Sequence, residues 1–281
     1  MNINSISPDE TSFLQRLQNI AKKPKSLRYI GTIPTDYPLV VSIVGSRRPT
    51  AYGKTVTEQI ADALARQGVV IVSGMALGVD AIAHSATLDA GGTTVAILPS
   101  GLDDPYPKSN RQLARRILLS GGALLSEYAE GHTPRQYDFL ARNRLVSGVA
   151  DAVIVTEANI RSGTLSTVTH ALEQGTAVYA VPGPITSPLS AGCNALIAQG
   201  AMPITSVDAL IEQLGLKSPT KTALGDNDQE TAILALLRNG VSDGEEIQAS
   251  TGYPVEVVSQ TLTMLEIKGH VTALGANKWR L

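Results

Sequence analysis

The chain has 281 residues, 43% of them hydrophobic and 17% charged, with a formal net charge of -2. Near-neutrality excludes a protein that coats nucleic acid over its whole surface, yet leaves room for a local basic groove, because charge is felt within roughly 8–10 Å at physiological salt. The lone Cys193 excludes an internal disulfide and a cysteine-based zinc knuckle, and no run approaches the ~18 apolar residues of a membrane span.

The length suits one large domain with a smaller one. Aromatics make up 4% of the chain, so the core is built from Ala, Val, Leu and Ile, the composition of a parallel α/β sheet. The first thirty residues carry Asp9, Glu10 and several lysines and no signal-type apolar core. A cytoplasmic protein without metal or cofactor is expected.

In chain order, residues 1–38 read as a short polar lead-in. "FLQRLQNIAK" places Phe13, Leu14, Leu17 and Ile20 at helical spacing, and "IPTDYP" closes the segment with two prolines. From Leu39 the pattern changes. "LVVSIVG", "VVIVSG", "TTVAILPSG", "ALLSE", "DAVIVTEA" and "TAVYAVPG" are continuous apolar runs, each stopping at small or polar residues. Alternating with amphipathic stretches such as "TEQIADALARQG", they predict buried parallel strands with helical crossovers over 39–216. Right-handed crossovers wind these into an extended Rossmann-like, doubly wound and mainly parallel sheet, with its crevice beyond the C-terminal strand ends.

Residues 217–228 dissolve into small and polar types and read as a linker. Over 229–281 the pattern gives three short helices and two brief strands, a small C-terminal winged-helix domain. Asp243 is its expected N-cap, and Gly252 the turn between the second and third helices.

The chemically suggestive residues cluster where strands finish. Gly45, Ser46, Arg47 and Arg48 follow the first run, Ser73 and Gly74 the second, Ser100 and Gly101 the third, Ser126 and Glu127 the fourth, and Glu157 with "NIRSGTLST" the fifth. Small residues let backbone N–H groups approach an anion, and arginine adds a fork suited to phosphate. A second cluster, "RQYDFLARNRLVSG", interleaves Arg142 and Arg144 with Tyr137 and Phe139. It suits either a single-stranded nucleic acid, whose bases stack on rings, or a solvated helix face with one core aromatic. Between Arg161 and Lys217 there is no lysine or arginine, so a basic groove has to draw on Arg47, Arg48, Arg142, Arg144 and Arg161. Arg111, Arg115 and Arg116 of "RQLARR" read as a solvated outer helix face.

No reaction is written in the pattern. Asp80 and His84 stand at i and i+4, a spacing compatible with an acid–base pair but commoner as structural packing. Glu127 and Glu157 are either paired carboxylates or anchors for neighbouring loops. A dinucleotide fingerprint, a phosphate-loop lysine motif and a nucleophile elbow are all absent from the sequence.

Taken together, "IVGSRRPTAYG", "VSGMALGVDAIAH", "GGTTVAILPSGLDDPYPKSN", "SGGALLSEY", "FLARNRLVSGVADAVIVTEANIRSGTL", "ALEQGTAVYAVPG" and "GCNALIAQGA" resemble, in order and spacing, the DNA-processing protein A (DprA, also Smf) family. The resemblance covers roughly residues 25–215. It implies a non-enzymatic homodimer that binds single-stranded DNA and loads a RecA-type recombinase onto it, in natural transformation or DNA recombination. It implies that Arg47 of the Gly45-Ser46-Arg47 turn takes a backbone phosphate, with Arg48 supporting it or pointing outward. Ser100, Gly101, Ser162 and Gly163 would offer small donors to the DNA backbone. Arg142, Asn143 and Arg144 would form or brace the pocket, and Phe139 would stack a base. Two departures stand out. Leu140 follows Phe139 where many members carry proline, and the family's additional N-terminal helical domain is expected to be reduced to a short stub.

The alternative is a nucleotide N-glycosidase (a phosphoribohydrolase) on the same sheet, similar to the cytokinin-activating "lonely guy" enzymes. Gly163 and Thr164 match that family's Gly-Thr, but Ser166 and Thr167 stand where its glutamates belong, leaving an oxocarbenium-like transition state without counter-charge. A duplex-DNA regulator is disfavoured, because "PVEVVSQTLTMLEIKG" carries one lysine and two glutamates, while duplex binders need several cations.

Overall fold

The computed structural model describes residues 2–216, 226–238 and 240–280. The chain divides into two compact units, Met1–Leu216 and Lys217–Leu281.

In the first unit the six apolar runs form β3 (Val40–Val44), β4 (Val70–Ser73), β5 (Thr94–Leu98), β6 (Ala123–Ser126), β7 (Ala152–Val155) and β8 (Ala177–Ala180). With β1 (Asn4–Ile6), β2 (Leu27–Gly31) and β9 (Met202–Pro203) they make one nine-stranded sheet, ordered β1-β2-β6-β5-β4-β3-β7-β8-β9. All pairings from β6 to β9 are parallel; β2 runs antiparallel to β6, and β1 antiparallel to β2.

Each strand sends alternate residues to opposite faces, as its pleat requires. Val40 and Val44 join the core beneath α4 (Gln136–Gly148), α5 (Thr164–Glu173) and α6 (Ala191–Ala198). Val41 and Ile43 pack against α1 (Ala51–Arg66), α2 (Val79–Asp89) and α7 (Val207–Gln213). Farther along that second face, α3 (Arg111–Leu119) covers Ala96, Leu98 and Leu124. The winding reverses between β3 and β7, so the chain leaves these neighbouring strands toward opposite faces. Their carboxyl ends therefore splay apart, which opens a crevice there.

Residues 1–38 depart from the expected lead-in, because β1 and β2 belong to the sheet. Their sequences "NSI" and "LRYIG" are too short and too mixed to register as apolar runs, and Arg28 interrupts the second. The helical spacing of Phe13, Leu14 and Leu17 is realised as a 3-10 helix, Ser12–Asn19, whose apolar side chains are buried in the core.

Asp80 and His84 are structural. Asp80 accepts from the N–H groups of Gly74 (3.1 Å) and Ala76 (3.2 Å), pinning the turn that leads into α2. Thr94 Oγ1 donates to Ile71 O (2.6 Å), so its contact with His84 Nδ1 (2.7 Å) has the imidazole as donor. That sets the tautomer and leaves Nε2 buried and unprotonated, without a partner among the described residues.

The second unit contains α8 (Asp228–Arg238), α9 (Gly244–Thr251), α10 (Val255–Ile267), β10 (Thr272–Gly275) and β11 (Lys278–Arg280) around Ile233, Leu234, Ile247, Leu262 and Leu265. Asp243 caps α9 by accepting from Glu245 N (2.9 Å), and Gly252 turns left-handed (φ 69°) before α10. Most of the expected linker, 217–225, lies outside the described residues.

His84 supplies a test. Burial, with the Arg142 charge adding to it, lowers its pKa to about 3 from an ordinary value near 6.5. The folded pKa is depressed, so the unfolded chain binds the extra proton between these values and stability falls as pH drops from about 6.5 toward 3. Urea unfolding across that window should show a contribution of up to about 1.4 kcal/mol per pH unit that His84→Asn abolishes.

Candidate functional site

The crevice between β3 and β7 is a cleft of about 610 Å³. Its floor and walls come from the turn after β3, the turn after β4, the first half of α4 and the loop from β7 into α5.

The turn after β3 is fastened at several points. Ser46 N donates to Glu157 O (2.7 Å), and Ser46 Oγ accepts from Arg48 N (3.1 Å). Thr50, the N-cap of α1, gives both its N–H and its hydroxyl to the Glu157 carboxylate, each at 2.7 Å. Gly53 is required beside them, since a Cβ there would stand 2.5 Å from Glu157 Oε2. From the opposite loop, Thr164 Oγ1 donates to Gly45 O (2.9 Å). Glu157 is thus a loop anchor that braces the segment carrying Arg47. The Arg47 side chain is exposed, is engaged in no ion pair among the described residues, and sets its guanidinium 5.2 Å from the centroid of the Phe139 ring. That distance is within cation–π range. Tyr106 meets the same ring edge-on, with centroids 5.7 Å apart.

Phe139 is positioned from the start of α4. Asp138, the third helical residue, is fully buried and accepts from Arg135 N (2.7 Å) and from His132 Nε2 (2.9 Å). One helical turn farther on, Arg142 is 4% exposed, and its Nη1 donates to Gly74 O (2.6 Å) and to Ile97 O. Gly74 is needed there, because a Cβ would strike the guanidinium. Burial draws the Arg142 pKa down to about 10, with Asp80 opposing, so the group remains a cation. The Asp80 pKa rises through burial against the pull of Arg142.

Of the eleven residues expected to bind DNA, Ser46, Arg47, Phe139, Arg142, Asn143, Ser162 and Gly163 line the cleft. Four others do not. Arg144 turns away to a bidentate pair with Glu127 (2.7 Å each) and donates to Lys22 O (2.9 Å). Ser100 is fully buried and its hydroxyl donates to Gly101 O (3.0 Å), while Gly101 N donates to His132 O (3.0 Å), so that hydroxyl and that N–H are already committed within the protein. Arg48 is exposed beside the cleft rather than in it. Of the two roles expected for them, Arg142 and Asn143 brace the pocket, Asn143 by holding Ser166 Oγ (2.8 Å), whereas Ser162 spends its hydroxyl on Thr164 Oγ1 (2.9 Å).

Tyr106, Gln136 and Asn159 line the cleft without having been singled out. Tyr106 had a signal, an aromatic between two prolines in the loop after β5, exposed where burial would be the default. Glu127 and Glu157 are held apart by separate partners and do not form a carboxylate pair. Ser166 and Thr167 carry hydroxyls, with Ser166 donating to Gly163 O (2.8 Å). Among the described residues there is no group of three His, Cys, Asp or Glu able to hold a metal ion, and no helix is long and apolar enough to cross a membrane. The arrangement joins an unpaired guanidinium, two aromatic rings and an open glycine turn, a set that holds an anion next to a flat apolar group.

The family described as DNA recombination-mediator protein A matches residues 4–215, and the DprA winged helix domain matches residues 217–277. Protein Smf of Escherichia coli is 34% identical over 291 aligned residues, covering 100% of this chain and 78% of that protein. The putative DNA processing protein DprA of Mycobacterium tuberculosis is 38% identical over 256 residues, covering 87% of this chain and 64% of its own length, so the chain spans under two thirds of that relative. Among solved structures, DNA processing protein A from Streptococcus pneumoniae superposes with a TM-score of 0.69 at 38% identity, over 76% of this chain and 75% of the other. The same protein from Helicobacter pylori, studied for its single-stranded DNA binding mode, gives 0.67 at 34% identity, over 76% of this chain and 96% of that one.

Arg142→Ala should cost about 3 kcal/mol in guanidinium unfolding, by stranding the carbonyls of Gly74 and Ile97 and leaving Asp80 uncompensated. Arg142→Lys should not restore it, since a single ammonium on a flexible stem does not reproduce the planar fork.

Proposed function

The chain belongs to the DNA recombination-mediator protein A family, and from that premise we propose that it binds single-stranded DNA in the β3–β7 cleft without cutting it, and delivers the strand to a RecA-type recombinase. Arg47 takes a backbone phosphate. Phe139 and Tyr106 lie against the neighbouring base, Gly163 lets the strand pass close to the backbone at the start of α5, and Ser46 and Asn143 shape the wall. Arg142 acts beneath them as a positioning residue. The observation that carries this reading is the unpaired Arg47 guanidinium held 5.2 Å from the Phe139 ring. A phosphate and a base are adjacent groups of one nucleotide, and the cleft presents a partner for each.

A non-catalytic role is supported by the fate of the carboxylates. Glu157, Glu127, Asp80 and Asp138 each accept bonds that hold protein elements in place. The Helicobacter pylori relative is described by its single-stranded DNA binding mode, which supports the same ligand here. The protein works in the cytoplasm as a homodimer, where incoming or recombining strands meet the recombinase.

Fluorescence anisotropy with a labelled oligothymidylate should show binding that weakens steeply with salt, and much weaker binding to a duplex of equal length. Arg47→Ala should lower affinity about tenfold and reduce the salt slope by about 0.7, the value for one phosphate contact on a single strand. Salt-insensitive binding, or an Arg47→Ala variant with unchanged affinity, would sink the reading.

A further inference from the structure

Past one rim of the cleft, large apolar side chains stand in solvent on well-fastened loops. Ile185, in the loop between β8 and α6, is 94% exposed, and Ile160, in the loop between β7 and α5, is 59% exposed. Neither loop is loose. Tyr52 Oη donates to Pro182 O (2.8 Å), Asn194 bonds both the N–H and the carbonyl of Gly183, and Gly192 N donates to Ala158 O (2.9 Å). An isoleucine held almost wholly in water on such a loop adds nothing to the core. Its apolar area is available to a ligand.

The patch is continuous with the cleft. Asn159 and Leu189, from the same two loops, line it, and Asn159 Oδ1 accepts from Arg161 N (3.0 Å), fixing the turn that presents Arg161. Arg161 is exposed and unpaired among the described residues, as is Arg48 at the entrance to α1, the helix that reaches this flank through Tyr52. The opposite flank mixes signs: it carries Asp103, Asp104 and Glu130 alongside Lys108 and Arg111, both paired with Asp104, and the exposed Arg115 and Arg135. On the β7–β8 side Arg161 and Arg48 meet no carboxylate among the described residues and attract a polyanion leaving the cleft.

Taking the cleft as a strand site, we propose that single-stranded DNA leaves it over the β7–β8 rim, with Arg161 and Arg48 on phosphates and Ile160 and Ile185 against the faces of unpaired bases. Bases unstacked from one another offer apolar faces that isoleucine can cover without reading sequence, while a duplex keeps those faces buried in its own stack. The rim therefore adds preference for single strands as well as contact length.

The test is a length comparison by anisotropy on the full chain, using oligothymidylates of about five and about fifteen nucleotides. Arg161→Ala and Ile185→Ser should each weaken the longer oligonucleotide about fivefold and change the shorter one less than about twofold, whereas Arg47→Ala weakens both. Equal affinity of the rim variants and the wild type for the longer strand, with Arg47→Ala still impaired, would overturn the exit path and leave the cleft reading standing. Loss on both lengths in the rim variants would also overturn it, by placing these residues inside the primary site. An Arg47→Ala variant unimpaired at either length would remove the cleft reading and this path with it.

Discussion

The buried guanidinium of Arg142 is the interaction on which the site depends. Parallel strands end in backbone carbonyls that no neighbouring strand can satisfy, and at a switch point those ends also diverge. Arg142 reaches across from α4 and takes the carbonyls of Gly74 and Ile97, just beyond β4 and within β5. A desolvated cation is costly, and here the cost is offset by these bonds and by Asp80, which itself receives the N–H groups of Gly74 and Ala76. One cation thereby locks two strand ends, the entry to α2 and the helix that carries Phe139.

The same economy governs the other strand ends. Hydroxyls and carboxylates are spent on fastening backbone, as with Glu157 on Thr50, Ser73 on Ile43 O and Ser126 on Ser100 O. The Arg47 guanidinium is left without an ion pair among the described residues. A site built this way is preorganised, so binding need not order its walls, and the free energy of the remaining contacts goes to the ligand.

The winged-helix unit follows a different balance. Lys268, next to the end of α10, is drawn back to Asp226 (2.6 Å) and Glu230 (2.8 Å). The exposed surface of α10 presents Glu256, Glu266, Met264 and Ile267. A helix with its lysine engaged and two glutamates outward has little to offer a duplex phosphate backbone, which agrees with the charge count read from the sequence. The chemistry suited to nucleic acid is concentrated in the large unit.

Six strands, the double winding of their sheet, the crevice at their carboxyl ends and the three-helix unit with its Asp243 cap and Gly252 turn were all legible in the sequence, because hydrophobic periodicity and capping are decided by neighbours a few residues away. The strands β1 and β2 were not, since a strand of three to five mixed residues takes its identity from the strands it pairs with. Nor were the roles of the arginines. Arg47, Arg142 and Arg144 are chemically alike and were all expected to form or brace the pocket, yet one stands in the cleft without an ion pair among the described residues, one is buried beneath it as a brace and one is paired with Glu127 outside it. Residue type determined that a cation would be present. Only the tertiary structure, by bringing carbonyls and carboxylates from distant strands within bonding distance, decided which cation would be left for a ligand.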